Sequence, residues 1–493
     1  MLNITNTLSG KKELLAQSAE ALLPTTTDVR GLSAPRVGLY VCGMTVYDHC
    51  HLGHARSAIV FDMIRNYLEY KNLDVCYVKN FTDVDDKIIH RAQEENRDWR
   101  SLAEVYIASY EDDMKRLNVR PPTLAPKATD HIPEMIALIK ELIAKGIAYA
   151  VDGDVYFEVD KYSAYGQLSK QNGEALVQGS RIEIDPKKRS PLDFALWKKA
   201  KQNEPSWDSP WGDGRPGWHI ECSAMAIKYL GSGIDLHGGG LDLIFPHHEN
   251  EIAQSEAATG VRFAASWVHH GMVTLKHEKM SKSVGNFFTI KEIFERFPVN
   301  DDRVIAELIR FFLLSTHYRS AIDFSDEALV AAWAGLDRFY ELFTKFSEMG
   351  IQEEGTPRQN DPLFTSFQFR LEASMDDDFN TPATLGILHE LRGKVNQRLI
   401  DPVGALFLFQ RFGKLFGLFQ VPSKEWRYKP PAQGVAQELT HAVQEQKVQE
   451  KIVERETARR DGNWALSDQI RLELKDKGIL LEDRPDGTTR VKR

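Results

Sequence analysis

The sequence predicts an α/β fold built on a parallel sheet. Two short apolar runs, Val37–Gly43 and Leu73–Val78, have the length and composition of buried strands. Between them a polar turn leads into Ala55–Tyr70, whose apolar residues recur at helical spacing. Because strands that alternate with helices form parallel sheets covered on both faces, we expect a Rossmann-like unit here.

A proline cluster at 121–126 interrupts this alternation. A helix predicted over Ile132–Tyr149 is followed by turn-rich sequence with several tryptophans and prolines, after which apolar strand-like segments resume. We therefore interpret 121–215 as a connective insertion in a sheet domain made of 1–120 and 216–325.

The chain changes character after residue 325. Leu, Phe and Trp recur at three- and four-residue spacing, which predicts a helical bundle over 326–424. A linker around Glu425–Pro431 precedes a charged helix over Ala436–Asp461. The tail contains "RPDG" between two alternating runs, which is typical of a hairpin because Pro and Gly suit the turn. We expect a small α+β domain over 432–493.

Composition narrows the class of protein. With 493 residues, 42% hydrophobic and 27% charged, the chain has the composition of a soluble, multidomain protein. It lacks an apolar run of about 18 residues and a secretory pattern at its start, so we expect no membrane contact and a cytoplasmic location. The four cysteines are irregularly spaced, which argues against a disulfide framework. A net charge of −9 excludes indiscriminate coating of nucleic acid but allows a local basic surface.

The turn after the first strand contains "HLGH", His51 to His54. Gly53 allows a ligand to approach the backbone, and the helix that begins here offers unpaired N–H groups to an anion. His51 and His54, three residues apart, face the same way on a first helical turn and can donate to phosphate oxygens. Two solvated loop histidines are an equally good interpretation of this motif alone.

A second motif, "KMSKS", places Lys279 and Lys282 around a small-residue loop. Two ammonium groups on such a loop suit a polyphosphate whose charge shifts during a reaction. A lysine pair in a loop is ordinarily just solvated surface, but the pairing with "HLGH" is specific. Together the two motifs resemble the signatures of class I aminoacyl-tRNA synthetases.

Four further residues form a candidate metal set. His247 and Glu251 are four apart and share a helical face, whereas His248 has Ile252 at that spacing. Cys42 and Cys222 would add soft thiolate ligands of the kind that zinc prefers. From spacing alone, ordinary burial of the two cysteines is the better interpretation, because the four residues are scattered along the chain.

Five segments resemble the cysteinyl-tRNA synthetase family. They are "YVCGMTVYDHCHLGHARS", "NFTDVDDKI", "PGWHIECSAMA", "HGGGLDLIFPHHENEIAQSE" and "EKMSKSVGNFFT". The resemblance runs from about residue 36 to the C-terminus. It implies that one zinc ion is held by four residues and binds the thiolate of the substrate, L-cysteine. These residues are Cys42, Cys222, His247 and Glu251.

The resemblance also assigns the remaining site residues. It implies an amino-acid pocket that contains Gly43, Thr82, Trp218 and His237. Trp218 could equally belong to the core, and His237 could simply brace the triple glycine that follows it. The implied ATP site, with Mg²⁺, contains His51, Gly53, His54, Gly239, Lys279 and Lys282.

The implied reaction joins L-cysteine to the 3′ end of tRNA(Cys) through a cysteinyl adenylate, with zinc selecting the thiol. His51 and His54 would stabilise the α-phosphate in the transition state, and Lys279 and Lys282 would hold the pyrophosphate. The bundle and the C-terminal domain would bind tRNA, and we expect a monomer. Contacts from Arg490, Lys492 and Arg493 to the RNA are as good an interpretation as a solvated basic tail.

Two other functions are compatible with parts of the sequence. A cysteine ligase that transfers activated cysteine to a small amine would share the catalytic half, but the tail beyond the bundle favours tRNA. A non-catalytic RNA-binding paralogue is disfavoured because both motifs and all four metal positions are intact. Cys50 and Cys76 match no ligand position. The charge run Asp83 to Asp86 is interpreted as a solvated face, and the segment 13–35 is longer than the family's usual link.

Overall fold

The computed structural model describes most of the chain. It covers residues 1–15, 36–171, 185–275, 278–279, 288–297, 301–351, 361–426, 451–460, 463–476, 481–483 and 489–491. Lys282 and nearly all of the N-terminal link lie outside these ranges, and the charged helix is described only over 451–460. None of the helices in the described ranges has the length and hydropathy that crossing a membrane requires.

The elements alternate as the sequence predicts through the first half of the chain. In the described residues the strands are β1 Asn3–Asn6, β2 Lys11–Leu14, β3 Arg36–Val41, β4 Asp74–Lys79, β5 Ala148–Val151, β6 Asp154–Phe157, β7 Phe194–Lys199, β8 Gly214–Pro216, β9 Ile234–Gly240, β10 Ala264–His270, β11 Val273–Leu275, β12 Glu278–Lys279, β13 Ile322–Asp323, β14 Leu481–Asp483 and β15 Thr489–Val491. The α-helices are α1 Leu52–Tyr70, α2 Asp86–Glu94, α3 Trp99–Arg116, α4 Ile132–Ala144, α5 Trp218–Leu230, α6 Glu249–Thr259, α7 Ile290–Arg296, α8 Asp302–Leu314, α9 Asp326–Glu348, α10 Pro362–Asp376, α11 Thr381–Asn396, α12 Pro402–Phe416, α13 451–460 and α14 Trp464–Asp476.

A parallel sheet forms the centre of the first domain, which confirms the predicted fold class. Its order is β10–β9–β3–β4, and each neighbouring pair is parallel. Helix α1 connects β3 to β4 and packs closely against β9. A Cβ atom at Gly238 in β9 would lie 2.3 Å from the Phe61 ring of α1, so only glycine permits this approach.

The segment that follows the proline cluster forms its own antiparallel sheet, in the order β5–β6–β7–β8. The helix predicted to reach Tyr149 was placed too long, because α4 ends at Ala144 and Tyr149 lies in β5. Gly146, at φ +70°, makes the turn between them.

The acidic run after β4 joins this sheet to the central one, so its interpretation as a solvated face was wrong in part. Asp83 is buried and accepts hydrogen bonds from the Thr129 amide at 3.0 Å and hydroxyl at 2.6 Å. Asp86 is exposed but pairs with Lys198 and with Arg215, both from the antiparallel sheet. The run therefore contributes to an interface rather than to a free surface.

An N-terminal hairpin, β1–β2, was not anticipated. The buried Asn6 side chain bonds both the Ala265 carbonyl and the Trp267 amide of β10, at 3.0 Å each. The Thr5 amide and hydroxyl donate to Asp378, in the turn between α10 and α11. The hairpin thus connects the edge of the central sheet to the helical bundle.

Helices α9 to α12 form the predicted bundle, whose aromatic core includes Phe339, Phe409 and Phe412, all fully buried. At the chain's end, β14 and β15 pair antiparallel, as a hairpin requires, while the predicted turn 484–488 lies outside the described residues. Arg455 of α13 is buried and bonds Asp483 of β14.

A buried arginine fixes α8 between the central sheet domain and the bundle. The Arg310 guanidinium donates to Asp62 Oδ2 of α1 at 2.6 Å, to the Phe416 carbonyl at 2.6 Å and to the Asn118 carbonyl at 3.0 Å. A Cβ atom at Gly417 would lie 2.5 Å from its Nε, so this residue must be glycine for the arginine to fit. The Arg310 side chain is fully buried.

We expect Arg310→Met to lower the free energy of unfolding by about 3–5 kcal/mol, because Asp62 is then left as an unpaired buried charge. Arg303→Met on the same helix is the matched control, since its pairs with Asp301 and Glu425 are half exposed and worth about 0–1 kcal/mol. Denaturant unfolding of the two variants measures the difference. Equal effects would contradict the role of the buried pair.

A second buried acid, Glu307 of α8, accepts hydrogen bonds from the Tyr340 hydroxyl at 2.8 Å and the Val421 amide at 3.1 Å. Burial raises the pKa of Glu307 to about 7 despite these bonds. The folded state therefore keeps a proton that the unfolded state loses near pH 4.3. Between these pH values the stability contributed by Glu307 falls as pH rises, and it is lost above about pH 7.

Glu307→Gln removes this titration. Relative to the variant, the parent chain should lose of order 3 kcal/mol of stability between pH 4.5 and 8, at about 1.4 kcal/mol per pH unit. Unfolding midpoints across this pH range measure the effect. Glu341→Gln, an exposed acid on α9, serves as the control and should show no such trend. A constant difference between parent and E307Q would show that Glu307 stays ionised.

Candidate active site

The predicted site residues converge at the carboxyl edge of the central sheet. Cys42 follows β3, Thr82 follows β4, and Gly239 lies near the end of β9. Parallel strands end at the same edge, which is where open α/β sheets bind ligands. Cys222 comes from α5, and Glu251 from α6, both of which pack at this edge.

The four predicted metal ligands lie together and are fully enclosed. The donor atoms of Cys42, Cys222, His247 and Glu251 are all within 4.8 Å of one another. Glu251 Oε1 is 3.1 Å from the Cys42 sulfur and 2.9 Å from His247 Nε2. Ligands about 2.0–2.3 Å from one tetrahedral ion are roughly 3.3–3.8 Å apart, so small shifts of these side chains would bring the donor atoms to such separations. A buried set of two thiols, an imidazole and a carboxylate fits a metal ion.

Two of the four donor residues, Cys222 and Glu251, have lowered pKa values. Burial raises the pKa of Cys42 well above its usual value. Burial acts in the same direction on Cys222, but hydrogen bonds with Cys42 and with His247 outweigh it and lower the Cys222 pKa to about 6. His237 and His247 overcome the effect of burial on Glu251 and hold its pKa well below the usual range. One thiolate and one carboxylate are therefore readily available, and these are the forms that bind metals.

Further histidines surround the set, and the sequence did not single out most of them. His237, assigned to the amino-acid pocket by resemblance, lies with Nε2 2.8 Å from Glu251 Oε2. Together with His248, Cys42 and Glu251 it forms a second group of donor atoms within 4.8 Å. His219 Nδ1 lies 2.8 Å from His247 Nδ1. The adjacent histidines in "FPHHEN" were the sequence signal for His247 and His248, and both side chains are buried.

Hydrogen bonds to the backbone orient the "HLGH" histidines. His51 is the N-cap of α1 and accepts from the Gly53 amide through Nδ1 at 3.1 Å, while the His51 amide donates to His54 Nδ1 at 3.3 Å. The two rings stack with centroids 3.8 Å apart. In the neutral ring, an Nδ1 that accepts places the proton on Nε2, so both histidines present Nε2–H as a donor.

The segment after the "KMSKS" loop is bonded to this turn, and the strand at its start pairs with β11. Lys279 is in β12, which pairs with β11, but its side chain lies outside the described structure, as does all of Lys282. On the far side of the loop, Ile290 donates to the Cys50 carbonyl at 2.9 Å, and Leu52 donates to the Phe288 carbonyl at 3.3 Å. The loop therefore returns to the start of α1.

The predicted amino-acid pocket adjoins the metal set. Gly43 donates to Asn80 Oδ1 at 2.8 Å, and a Cβ there would lie 1.5 Å from the Asn80 carbonyl oxygen. Thr82 donates to Glu221 Oε2 at 2.8 Å. Trp218 is 39% exposed and stacks on His247 at 4.5 Å, so it is not a core residue.

Gly239, which also belongs to the implied ATP set, brings the backbone of β9 close to His248. A Cβ atom there would lie 2.7 Å from the His248 ring. Asn80 and Glu221 were not singled out from the sequence, although both lie within the quoted segments, "NFTDVDDKI" and "PGWHIECSAMA". Burial raises the pKa of Glu221 well above its usual value.

Comparison with known proteins agrees with this geometry. The model of the tRNA synthetases class I (C) catalytic domain matches residues 29–334, and that of the DALR domain matches residues 370–420. A methionyl-tRNA synthetase of Mycobacterium tuberculosis, in complex with methionyl-adenylate, superposes with a TM-score of 0.56 over 81% of this chain and 99% of its own. At 17% identity this likeness shows the fold.

Curated relatives are much closer in sequence. The cysteine–tRNA ligase of Geobacter metallireducens is 48% identical over 505 residues, which is 99% of each chain. That of Pelotomaculum thermopropionicum is 48% identical over 476 residues, covering 92% of this chain and 94% of its own. The resemblance seen in the sequence is confirmed: the chain belongs to the cysteine–tRNA ligase family of class I tRNA synthetases.

Proposed function

We propose that the chain attaches L-cysteine to tRNA(Cys) and that a zinc ion selects the substrate thiol. The observation that carries the proposal is the buried set of Cys42, Cys222, His247 and Glu251, at the sheet edge where "HLGH" begins α1. Cysteine activation needs both a thiol-selective ligand and a site for ATP, and these features supply them side by side. The full-length relatives support tRNA over a small amine as the acceptor.

A bound zinc ion would distinguish cysteine from serine. Cysteine and serine differ by one atom, which a pocket built on shape separates poorly. When bound, Zn²⁺ lowers the pKa of a thiol and holds the thiolate far more strongly than a hydroxyl. The four buried residues would hold it, and the His237 ring beside Glu251 would fix the carboxylate.

Activation requires the cysteine carboxylate to attack the α-phosphorus of ATP while the bond to pyrophosphate breaks. His51 and His54, with Nε2–H as the donor, would stabilise negative charge on the α-phosphate, with Mg²⁺ as the partner of ATP. Gly53 and Gly239 would let the nucleotide approach the backbone. Lys279 and Lys282 would hold the leaving pyrophosphate from the loop that returns to α1.

In the second step the terminal ribose hydroxyl of the tRNA attacks the adenylate carbonyl, and AMP leaves. The bundle 326–424 and the domain 432–493 would bind the RNA, with 121–215 as a connective insertion in the catalytic domain. Arg490, Lys492 and Arg493 are candidate phosphate contacts. We propose that the chain acts as a monomer and that it acts in the cytoplasm.

Metal analysis of the purified chain should find about one zinc per molecule. Cys222→Ala should lose the zinc and, with it, cysteine-dependent exchange between ATP and pyrophosphate. Cys76→Ala is the matched control, because Cys76 is also a buried free thiol but lies in β4, outside the donor set. Active enzyme without zinc, or a Cys222→Ala variant that still prefers cysteine to serine, would refute the proposal.

Lys282→Ala should depress the same pyrophosphate exchange by about 10²–10³-fold, the usual effect of removing one charged contact to a transition state. The reduction should appear in kcat, since the contact forms as pyrophosphate departs. Lys291→Ala changes an exposed lysine of the following helix and should leave the exchange unaffected. Near-normal exchange in Lys282→Ala would remove this lysine from the reaction.

A further inference from the structure

The turn between α10 and α11 holds two consecutive residues in a backbone conformation that favours glycine. Asp378 has φ +63° and Phe379 has φ +51°, and both side chains are buried. Aspartate tolerates this left-handed region, whereas a bulky phenylalanine there is an outlier. The Phe379 ring packs edge-to-face against Tyr67 of α1 and against Tyr318, with centroids 6.1 and 6.4 Å away. Strained backbone persists where its surroundings over-determine it, and it clusters at functional sites.

The Asp378 carboxylate bonds two distant parts of the chain. Its Oδ1 accepts from the Tyr318 hydroxyl at 2.7 Å and from the Thr5 amide at 2.9 Å, and its Oδ2 accepts from the Thr5 hydroxyl at 2.5 Å. The Arg319 guanidinium lies 3.7 Å from Oδ2. The turn therefore reaches out of the bundle to the segment that follows α8.

Tyr318 connects this turn to the segments that carry the two predicted ATP motifs. Its carbonyl oxygen accepts from Arg56 Nη2 at 3.2 Å and from the Gly271 amide at 2.8 Å. Arg56 lies on α1, two residues after His54 of "HLGH". Gly271 precedes β11, which pairs with β12, the strand that contains Lys279. Tyr318 thus bonds the bundle through its side chain and the supports of both motifs through its main chain.

The packing around this connection is tight. A Cβ atom at Gly271 would lie 2.2 Å from the Ser320 carbonyl oxygen, and that carbonyl also accepts from Arg56. Directly after this segment, β13 pairs in parallel with β11. Close-packed interiors transmit displacements rather than absorb them. A shift of Tyr318 would therefore move the start of α1 and the strand that leads to the "KMSKS" loop.

We propose that Asp378 positions the ATP site by holding Tyr318. This inference rests on the proposed function and goes beyond it, because it gives the bundle a part in cysteine activation as well as in RNA binding. The strained turn places the carboxylate where the Tyr318 hydroxyl finds its acceptor, and that bond fixes His54 relative to the lysine loop. Small misplacements of groups around a reacting centre lower the rate strongly. Asp378 acts through Tyr318, so it is a positioning residue rather than a catalytic one.

Tyr318→Phe removes the hydroxyl and keeps the ring that packs against Phe379. In the zinc-loaded, full-length enzyme, kcat for cysteine-dependent pyrophosphate exchange without tRNA should fall roughly 10- to 100-fold. The KM for cysteine and the zinc content should be unchanged, because the donor set lies on other elements. Tyr340→Phe is the matched control, since its hydroxyl also donates to a buried acid, Glu307, at 2.8 Å. It should lower the unfolding midpoint similarly and leave kcat unaffected.

Asp378→Asn is the second variant, since asparagine also tolerates the left-handed region but is a weaker acceptor than a carboxylate. It should lower kcat in the same way, measured where unfolding curves show a folded chain.

A normal kcat in either folded variant would overturn the inference, as would an equal fall in Tyr340→Phe or a matching rise in the KM for cysteine. Normal exchange combined with a loss of tRNA charging would also overturn it, because the turn would then serve RNA binding alone. Absence of cysteine-dependent exchange in the parent enzyme would instead refute the proposed function, so the two failures are distinguishable.

Discussion

The enclosure of ionisable side chains at the edge of the sheet is the constraint on which the rest of the structure depends. Two thiols, an imidazole and a carboxylate meet where water does not reach them. Such groups are costly to bury unless they pair with one another or share a cation. Their positions come from a strand end and two helices, so the sheet and its covering helices must be rigid for the set to hold its geometry.

A second consequence of the sheet is that the buried donor set and the "HLGH" histidines lie at the same edge. The "HLGH" turn and Cys42 both follow β3, and the segment after the "KMSKS" loop is bonded to that turn through Phe288 and Ile290. The buried donor set and the histidines of "HLGH" are thereby held at a fixed separation. Arg56 of α1 is buried and donates to the carbonyls of Met272 and Tyr318. These bonds also fix α1 to the segment just before β11.

Periodicity predicted the central strands and most of the helices but missed the β1–β2 hairpin, and it gave no access to long-range contacts. The spacing of His247 and Glu251 predicted their shared face, and alternation predicted the parallel sheet. Cys42 and Cys222 are far apart along the chain, so only the family resemblance could join them. Asp83 appeared solvated because its partner, Thr129, lies 46 residues away, and Tyr149 was assigned to a helix because the turn at Gly146 was overlooked.

The N-terminal hairpin has an implication for the order in which the polypeptide is assembled. Asn6 bonds residues 259 and 261 positions further on, and Thr5 bonds Asp378, 373 positions away. During synthesis the β1–β2 hairpin can pair locally, but it cannot complete these contacts until Asp378 has been made. Its docking is therefore among the late events, and contacts of such sequence separation are slow to form.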